Sequence, residues 1–381
     1  MGDVATTRLL HVSRWLGAKG GGGVSTYIEA VDCALKNCGV EGRRAGLLPE
    51  DMSPYFTGRL AKSRIRVLKL LGAMRLAKSM LLEREKTDCV HIHGVTDWHF
   101  LVASTLCRTA GMPYFVSTHG GVSPAAMHAQ GMRRMLWWIY IRLIMVPGLK
   151  HSSAIVATTE TERQLIDGLV PGSDIRVIAP GLPGLSETRS SISGKSTPVD
   201  TMRLVFVGRI EPIKSVPTLI QALYQLRSRG VNAHLDLAGE GSPEYVSYIA
   251  SLIAELQLES YVKWCGYVDG PEKCLLFRSA SALVLPSLSE NFGFVVAEAM
   301  AEGCPVFVSE GVGLACLVKT LECGEVFPIG DEATLVEALL RYTHPLVWQK
   351  ASYNAYIGAL QYFSLEAMRK QLLTLYTTRR L

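Results

Sequence analysis

Two doubly wound α/β domains are the fold class this sequence predicts, and three observations predict it. Short β-rich runs alternate with longer helical patterns along the whole chain. Most of those runs are continuously apolar, the pattern of parallel strands covered by helices on both faces. A chain of 381 residues carries a prior of two domains or three.

In the first half, "RLLHV" (8–12), "CVHIHG" (89–94), "PYFVSTHGG" (113–121) and "SAIVATT" (153–159) read as strands. In the second, "RLVFVGRI" (203–210), "HLDLAGEG" (234–241), "ALVLPS" (282–287) and "PVFVSE" (305–310) do so. Between them "GLSETRSSISGKSTPVD" (184–200) is rich in Ser, Gly and Thr and poor in bulky apolar residues, so it reads as a linker. The tail "YFSLEAMRKQLLTLY" (362–376) reads as a closing helix with Ser364 at its N-cap. The predicted organisation is a first domain over 1–183, a linker over 184–200, a second domain over 201–362 and a last helix over 363–381. In open α/β sheets ligands bind beyond the carboxyl ends of the strands. With two such domains, the expected site is the cleft between them, and its residues should follow strands directly.

Composition narrows the function classes. Apolar residues make up 48% and charged residues 19%, enough for a core in each domain and too apolar for disorder. The nine cysteines are scattered, with no C-x-x-C and no Cys/His cluster at metal-ligand spacing, so they read as reduced thiols of a cytosolic protein and no metal is expected. The N-terminus shows no apolar signal segment. The most apolar window, "MLWWIYIRLIMVP", is interrupted by Arg142 and too short to span a bilayer. Residues 1–183 hold 22 Lys/Arg against 14 Asp/Glu, and the remainder 17 against 20. A basic first half suits an anionic partner, although such asymmetry also serves solubility.

The motifs follow the strands. In "GRIEPIK" (208–214), Gly208 ends a strand and Arg209 and Lys214 lie in the turn toward a helix. Two cations beside a helix N-terminus make a diphosphate site; the pair also fits plain surface cations. "AGEGSP" (238–243) places Gly239 and Gly241 after a strand, where glycine lets a backbone approach a ligand closely or simply makes a tight turn. In "SLSENFGFVVAEAMAEGCPV" (287–306), a strand gives way to a helix near Phe292–Phe294. Gly293 would leave backbone N–H groups free at that helix start, facing an anion. Glu290 stands in the loop and Glu298 about a turn into the helix. Carboxylates accept hydrogen bonds from neighbouring sugar hydroxyls, so a pair flanking a diphosphate suits a sugar on one side and a ribose on the other. The plainer alternative is a solvated Glu and a helix-start Glu that favours the macrodipole.

These residues resemble the donor domain of retaining glycosyltransferases of family 4, and the resemblance covers nearly the whole chain. The family carries a Glu-x7-Glu element, matched by Glu290 and Glu298, and an Arg with a Lys five residues later, matched by Arg209 and Lys214. It implies the GT-B fold: two Rossmann-like, doubly wound parallel-sheet domains facing across a cleft. It further implies that Glu290 meets the donor hexose, Glu298 the ribose, and Arg209 with Lys214 the diphosphate. Tyr267 in "CGYV" (265–268) would lie near the base, and the backbone of Asn291, Phe292 and Gly293 would face sugar and phosphate. Relatives commonly have Gly where this chain has Ser215, which can cap a helix.

The first half fits the same resemblance. "KGGGGVSTYIEAV" (19–31) follows the first strand and opens a helix; it is not G-x-G-x-x-G, so a dinucleotide reading is poor. A glycine run can close over a phosphate or sugar, or be a loop, and relatives carry a glycine pair best matched by Gly22 and Gly23. Relatives also carry a His at the strand end of "STHGG" (117–121), here His119; an isolated His is equally a core residue held by main chain. His91 and His93 fall on one strand face, with His93 nearer the cleft.

Two basic stretches remain. In 59–86, Val67, Leu70, Leu71, Met74, Ala77 and Leu81 form one helical stripe, and Lys62, Arg66, Lys69, Arg75 and Lys78 lie largely off it. In 131–150, arginines mix with Trp137, Trp138 and Tyr140. These suit an anionic membrane surface or ordinary core-facing helices with a basic outer face. No nucleic-acid module is recognisable.

The expected activity is therefore metal-independent retaining transfer of a hexose, from GDP-mannose or a UDP-hexose, to a glycan or lipid-linked hydroxyl at the cytoplasmic face of a membrane, forming an α linkage. The alternatives are a sugar-nucleotide epimerase of the same fold and a non-catalytic nucleotide-sugar-binding partner.

Overall fold

The computed structural model describes residues 7–15, 22–48, 61–123, 132–185 and 201–377. Most of the linker stretch, 186–200, lies outside them. The chain divides into two compact units: residues 1–183 with 365–381, and residues 184–364.

The first unit holds a six-stranded sheet of β1 (Thr7–Trp15), β2 (Val40–Leu48), β3 (Cys89–His93), β4 (Tyr114–Ser117), β5 (Ala154–Ala157) and β6 (Ile175–Val177), in the order β2-β1-β3-β4-β5-β6. The second holds β7 (Met202–Val207), β8 (Ala233–Ala238), β9 (Val262–Gly266), β10 (Ala282–Leu285), β11 (Val306–Ser309) and β12 (Gly324–Phe327), in the order β12-β11-β10-β7-β8-β9. Every pairing in both sheets is parallel. The predicted fold class is the observed one. The eight predicted strands are present; the four unpredicted ones, β2, β6, β9 and β12, are the sheet edges. Edge strands bury less and need no apolar run: β2 reads VEGRRAGLL, and Lys263 and Trp264 of β9 are exposed.

Strand alternation divides the first sheet into two cores. Leu10, Val12, Val90, Ile92, Val116 and Ile155 face one way, onto Leu76 and Met80, Phe100 and Ala103, and Met145 and Leu149. Leu9, Cys89, Phe115, Ala154 and Val156 face the other, onto Tyr27, Val31 and Leu35 of the helix Gly22–Leu35 and Met368, Leu372 and Tyr376 of the helix Leu365–Thr377. The predicted closing helix is preceded by a second one: Pro345–Phe363 ends at Ser364, whose extended backbone separates it from Leu365–Thr377.

In the helix Ala61–Glu83 the described large members of the predicted apolar stripe face away from the core. Leu71, Met74 and Leu81 point outward, Met74 being 64% exposed. Val67 and Leu70 lie where side chains are not described. The buried line is instead Gly72, Ala73, Leu76 and Met80, whose small members allow close approach to the helix Trp98–Ala110 and to β2. The helical stretch 132–150 winds through a π turn at Ile141–Met145, just before Pro147, which lacks an N–H for the regular ladder. It buries Ile141, Met145 and Leu149, packs Trp137 on Tyr140 at 5.2 Å, and leaves Leu136, Trp138 and Leu143 outside. No helix among the described residues is long and apolar enough to cross a membrane.

Candidate functional site

In the second unit the candidate residues gather at the carboxyl ends of β7, β8 and β10. After β7 the chain turns at Gly208, passes Arg209, and makes a single 3-10 turn, Pro212–Lys214, before the helix Val216–Ser228. Lys214 is mostly buried, and its Nζ meets Oε2 of Glu290. The two residues are 76 positions apart. Glu290 is held by main chain as well: its N–H donates to Gly311 at 2.9 Å, and its carbonyl accepts from Gly313 at 2.8 Å. Arg209 does not join this pair; it is 74% exposed, with Nη1 2.8 Å from Oε1 of Glu211.

Ser215 corrects an expectation. It stands at the N-cap of Val216–Ser228 with φ +49°, and its hydroxyl lies 3.0 Å from the Thr218 hydroxyl instead of capping a backbone N–H. The left-handed backbone explains the family glycine at this step, since a side chain there costs roughly 1–2 kcal/mol.

Gly239 and Gly241 stand where two post-strand loops approach each other. A Cβ on Gly239 would overlap the Gly208 carbonyl oxygen, and one on Gly241 the Ile210 carbonyl oxygen. The two post-strand loops are zipped together by Gly208 N–H to Ala238 O at 3.0 Å and Ile210 N–H to Glu240 O at 2.8 Å. The glycines therefore serve the approach of one loop to another, which sets where Arg209 leaves the main chain.

Gly293, at φ +82°, caps the helix Phe294–Ala301 and leaves that helix start without a side-chain cap. Asn291 is half-buried. Phe292 turns its ring into the core, 5.1 Å from Phe294 and 5.7 Å from Phe363, so only its backbone can serve a ligand. Glu298, in the second turn, is met by Lys273 at 3.0 Å, and Lys273 also reaches Asp269 at 3.2 Å. Burial pushes the Glu298 carboxyl up and outweighs the pull of the Lys273 ammonium. Tyr267 is 69% exposed, its hydroxyl 3.5 Å from Asp269. Lys273 was missed by the sequence reading; its position four residues after Asp269 on a helix was the available signal.

In the first unit, Gly22 opens the helix Gly22–Leu35 and Gly23 is exposed; the preceding glycines lie outside the described residues. His119 follows β4 with φ +48°, half-buried. Burial pushes its imidazole down to about 4, against the pull of the Glu162 carboxylate. Glu162, also missed, pins the turn that carries it. Its Oε1 accepts from the Thr118 hydroxyl at 2.6 Å and the Gly120 N–H at 2.5 Å. Its Oε2 accepts from the Thr158 N–H at 2.7 Å and hydroxyl at 2.8 Å. His93 is fully buried and reaches His119, Nδ1 to Nε2, at 3.2 Å.

Comparison with known proteins adds a family. Residues 21–183 match the family described as Glycosyltransferase Family 4, and residues 189–345 the family described as Glycosyl transferases group 1. An uncharacterized glycosyltransferase of Methanocaldococcus jannaschii is 31% identical over 273 residues, 66% of each chain. The match to several D-inositol 3-phosphate glycosyltransferases spans 39% to 58% of their length. Among solved structures, a sucrose-phosphate synthase from Thermosynechococcus elongatus superposes with a TM-score of 0.76 at 22% identity over 98% of both chains. HepE of Anabaena, solved with UDP and glucose, gives 0.70 at 18% identity over 98% of this chain and 100% of its own. At such identities these two speak for the fold. A match to one glycosyltransferase family on each half, on a fold shared with glycosyltransferases, decides the class: the chain belongs to the GT-B glycosyltransferases, with a family 4 first half and a group 1 second half.

Proposed function

We propose that this glycosyltransferase moves a hexose, with retention and without a metal, from a nucleotide diphosphate sugar to a hydroxyl of a glycan or lipid-linked acceptor, forming an α linkage. The observation that carries the reading is the meeting of Lys214 with Glu290 beside the uncapped helix start at Gly293. A cation for a phosphate, a carboxylate for sugar hydroxyls and free backbone N–H groups for an anion then lie at one spot. Arg209 sits on an exposed turn, free to swing from Glu211 to a diphosphate. Glu298 would take the ribose, Tyr267 the base, and the backbone of Asn291 to Gly293 the phosphate. On the first unit, His119 and the helix opening at Gly22 and Gly23 are the candidates for the reacting sugar.

The chemistry asked of the protein is modest. The acceptor oxygen attacks the anomeric carbon on the face the diphosphate leaves, and the leaving phosphate oxygen takes the acceptor proton. Negative charge grows on that phosphate, and Arg209, Lys214 and the Gly293 helix start would stabilise it.

The test is thermal stability of the whole chain against UDP-, GDP- and ADP-sugars with the free nucleotides alongside. A donor at a hundred times its dissociation constant should add ~2.7 kcal/mol. The expected result is stabilisation by one base, lost in Glu298→Ala. A flat response to every nucleotide rejects the reading. Conversion of the donor with no acceptor present would select the epimerase instead.

The lipid-linked acceptor is supported by the outward-facing Leu71, Met74 and Leu81, with Arg75 and Lys78 exposed on the same helix. Basic residues near an anionic leaflet contribute ~1 kcal/mol each. Flotation with phosphatidylglycerol vesicles should carry the protein upward, and Met74→Gln with Leu81→Gln should weaken it. Equal flotation of both forms would remove this helix from the argument.

A further inference from the structure

Lys273 stands in the helix Gly270–Ser279, and its ammonium joins two elements of the second unit. Nζ lies 3.0 Å from Oε1 of Glu298, in the helix Phe294–Ala301. It also lies 3.2 Å from Oδ1 of Asp269, at the N-cap of its own helix. Lys273 and Glu298 are mostly buried, whereas Asp269 is exposed.

The hydrogen-bonding capacity of this pair is not used up. Burial works against the charge on Lys273, but Glu298 and Asp269 outweigh it and keep the ammonium. An ammonium has three N–H donors and no acceptor. Two are spent on Glu298 and Asp269, so one is left. Oε1 of Glu298 is taken by Lys273, and among the described residues no donor reaches Oε2. One free donor and one free acceptor therefore stand side by side. A vicinal diol matches such a corner: one hydroxyl donates to the carboxylate oxygen, and the oxygen of its neighbour accepts from the ammonium. A carboxylate by itself could only accept from both.

We infer that Lys273 is a second ribose-binding residue, and that Lys273 and Glu298 hold the ribose diol together, one hydroxyl on each. The inference rests on the proposed placement of the ribose at Glu298. The neighbours agree with it. Asp269, which holds Lys273, has its other oxygen 3.5 Å from the hydroxyl of Tyr267, the side chain proposed for the base. Lys273 is thus tied to the residues proposed for both parts of a nucleoside.

The competing role is a plain tie between two helices. A partly exposed ion pair adds little to the stability of a fold. A tie of that kind also has no preference among ribose hydroxyls: its loss weakens every nucleotide alike. Selectivity for one hydroxyl is therefore the property that separates the two roles.

The experiment is calorimetric titration of the full chain at about pH 8, on the alkaline side of the Glu298 carboxyl. The probes are the nucleoside diphosphate whose base stabilises the chain and its 2′-deoxy and 3′-deoxy forms. Each deoxy form should bind the unsubstituted chain about tenfold more weakly, the worth of one hydrogen bond to a charged group. In Lys273→Met, which keeps the apolar length of the side chain, the penalty for one missing hydroxyl should vanish and the other remain. Glu298→Gln should reduce that other one. Asp269→Asn, at an exposed position, should weaken the same penalty as Lys273→Met, and it carries the test if Lys273→Met misfolds. Both penalties intact in these two variants, or both lost together, overturn the inference and leave Lys273 as a tie or as a holder of Glu298. Equal binding of the three nucleotides to the unsubstituted chain rejects the ribose at Glu298 and the inference with it, so the two failures are told apart.

Discussion

Glu162→Ala should lower the melting midpoint of the first unit by about 10 °C. The side chain is buried and accepts four hydrogen bonds, from Thr118, Gly120 and both donors of Thr158. Removing it leaves four donors without their acceptor, each worth ~1–3 kcal/mol if it stays dry. Water will reach some of them, so a loss of roughly 3–5 kcal/mol is expected. For a unit of this size 1 kcal/mol moves the midpoint by ~2–4 °C. Glu162→Gln keeps an acceptor for one pair and should fall between. Calorimetry of the three forms is the measurement. A midpoint for Glu162→Ala within about 2 °C of the parent would mean that the network contributes little. The same substitution frees the turn at His119, so any transfer activity should drop with it.

Lys214→Met should cut kcat/KM about ten- to a hundredfold once the donor is known, the worth of a charge-assisted contact of ~1.5–3 kcal/mol. The Lys214–Glu290 contact adds a second consequence. Lys214 and Glu290 are both mostly buried, so losing the cation leaves a carboxylate without its partner. Glu290→Gln alone, and the double variant, complete a cycle. If the pair acts as a unit, the double variant loses no more than the worse single one. Independent losses that multiply would place the two residues on separate parts of the substrate, with no coupling through their contact. Full activity in Lys214→Met would remove the cation from the phosphate role.

How much of this was legible beforehand differs from feature to feature. The central strands of both sheets were, because burial on both faces demands an uninterrupted apolar run that shows in a single strand. The edges were not: β2 is as polar as a loop, and only its pairing with β1 makes it a strand. The helix start at Gly293 was legible because a glycine between a strand and a helix marks the break, whereas the left-handed backbone at Ser215 showed only in the structure. Of the predicted apolar stripe of Ala61–Glu83, Leu71, Met74 and Leu81 share a face, and it is not the buried one. Periodicity says which residues share a face, and only the helix Trp98–Ala110 packed alongside decides that Ala73, Leu76 and Met80 are the inner one.

The sequence by itself therefore determined the two parallel-sheet units, the loops that follow their strands and the residue types that gather there. Tertiary structure alone decided the partners. Lys214 found Glu290, Lys273 found Glu298, and Glu162 found the turn at His119. A side chain's face is set by the few residues around it, whereas its charge or proton is set by whatever distant strand or helix the fold brings within 3–4 Å.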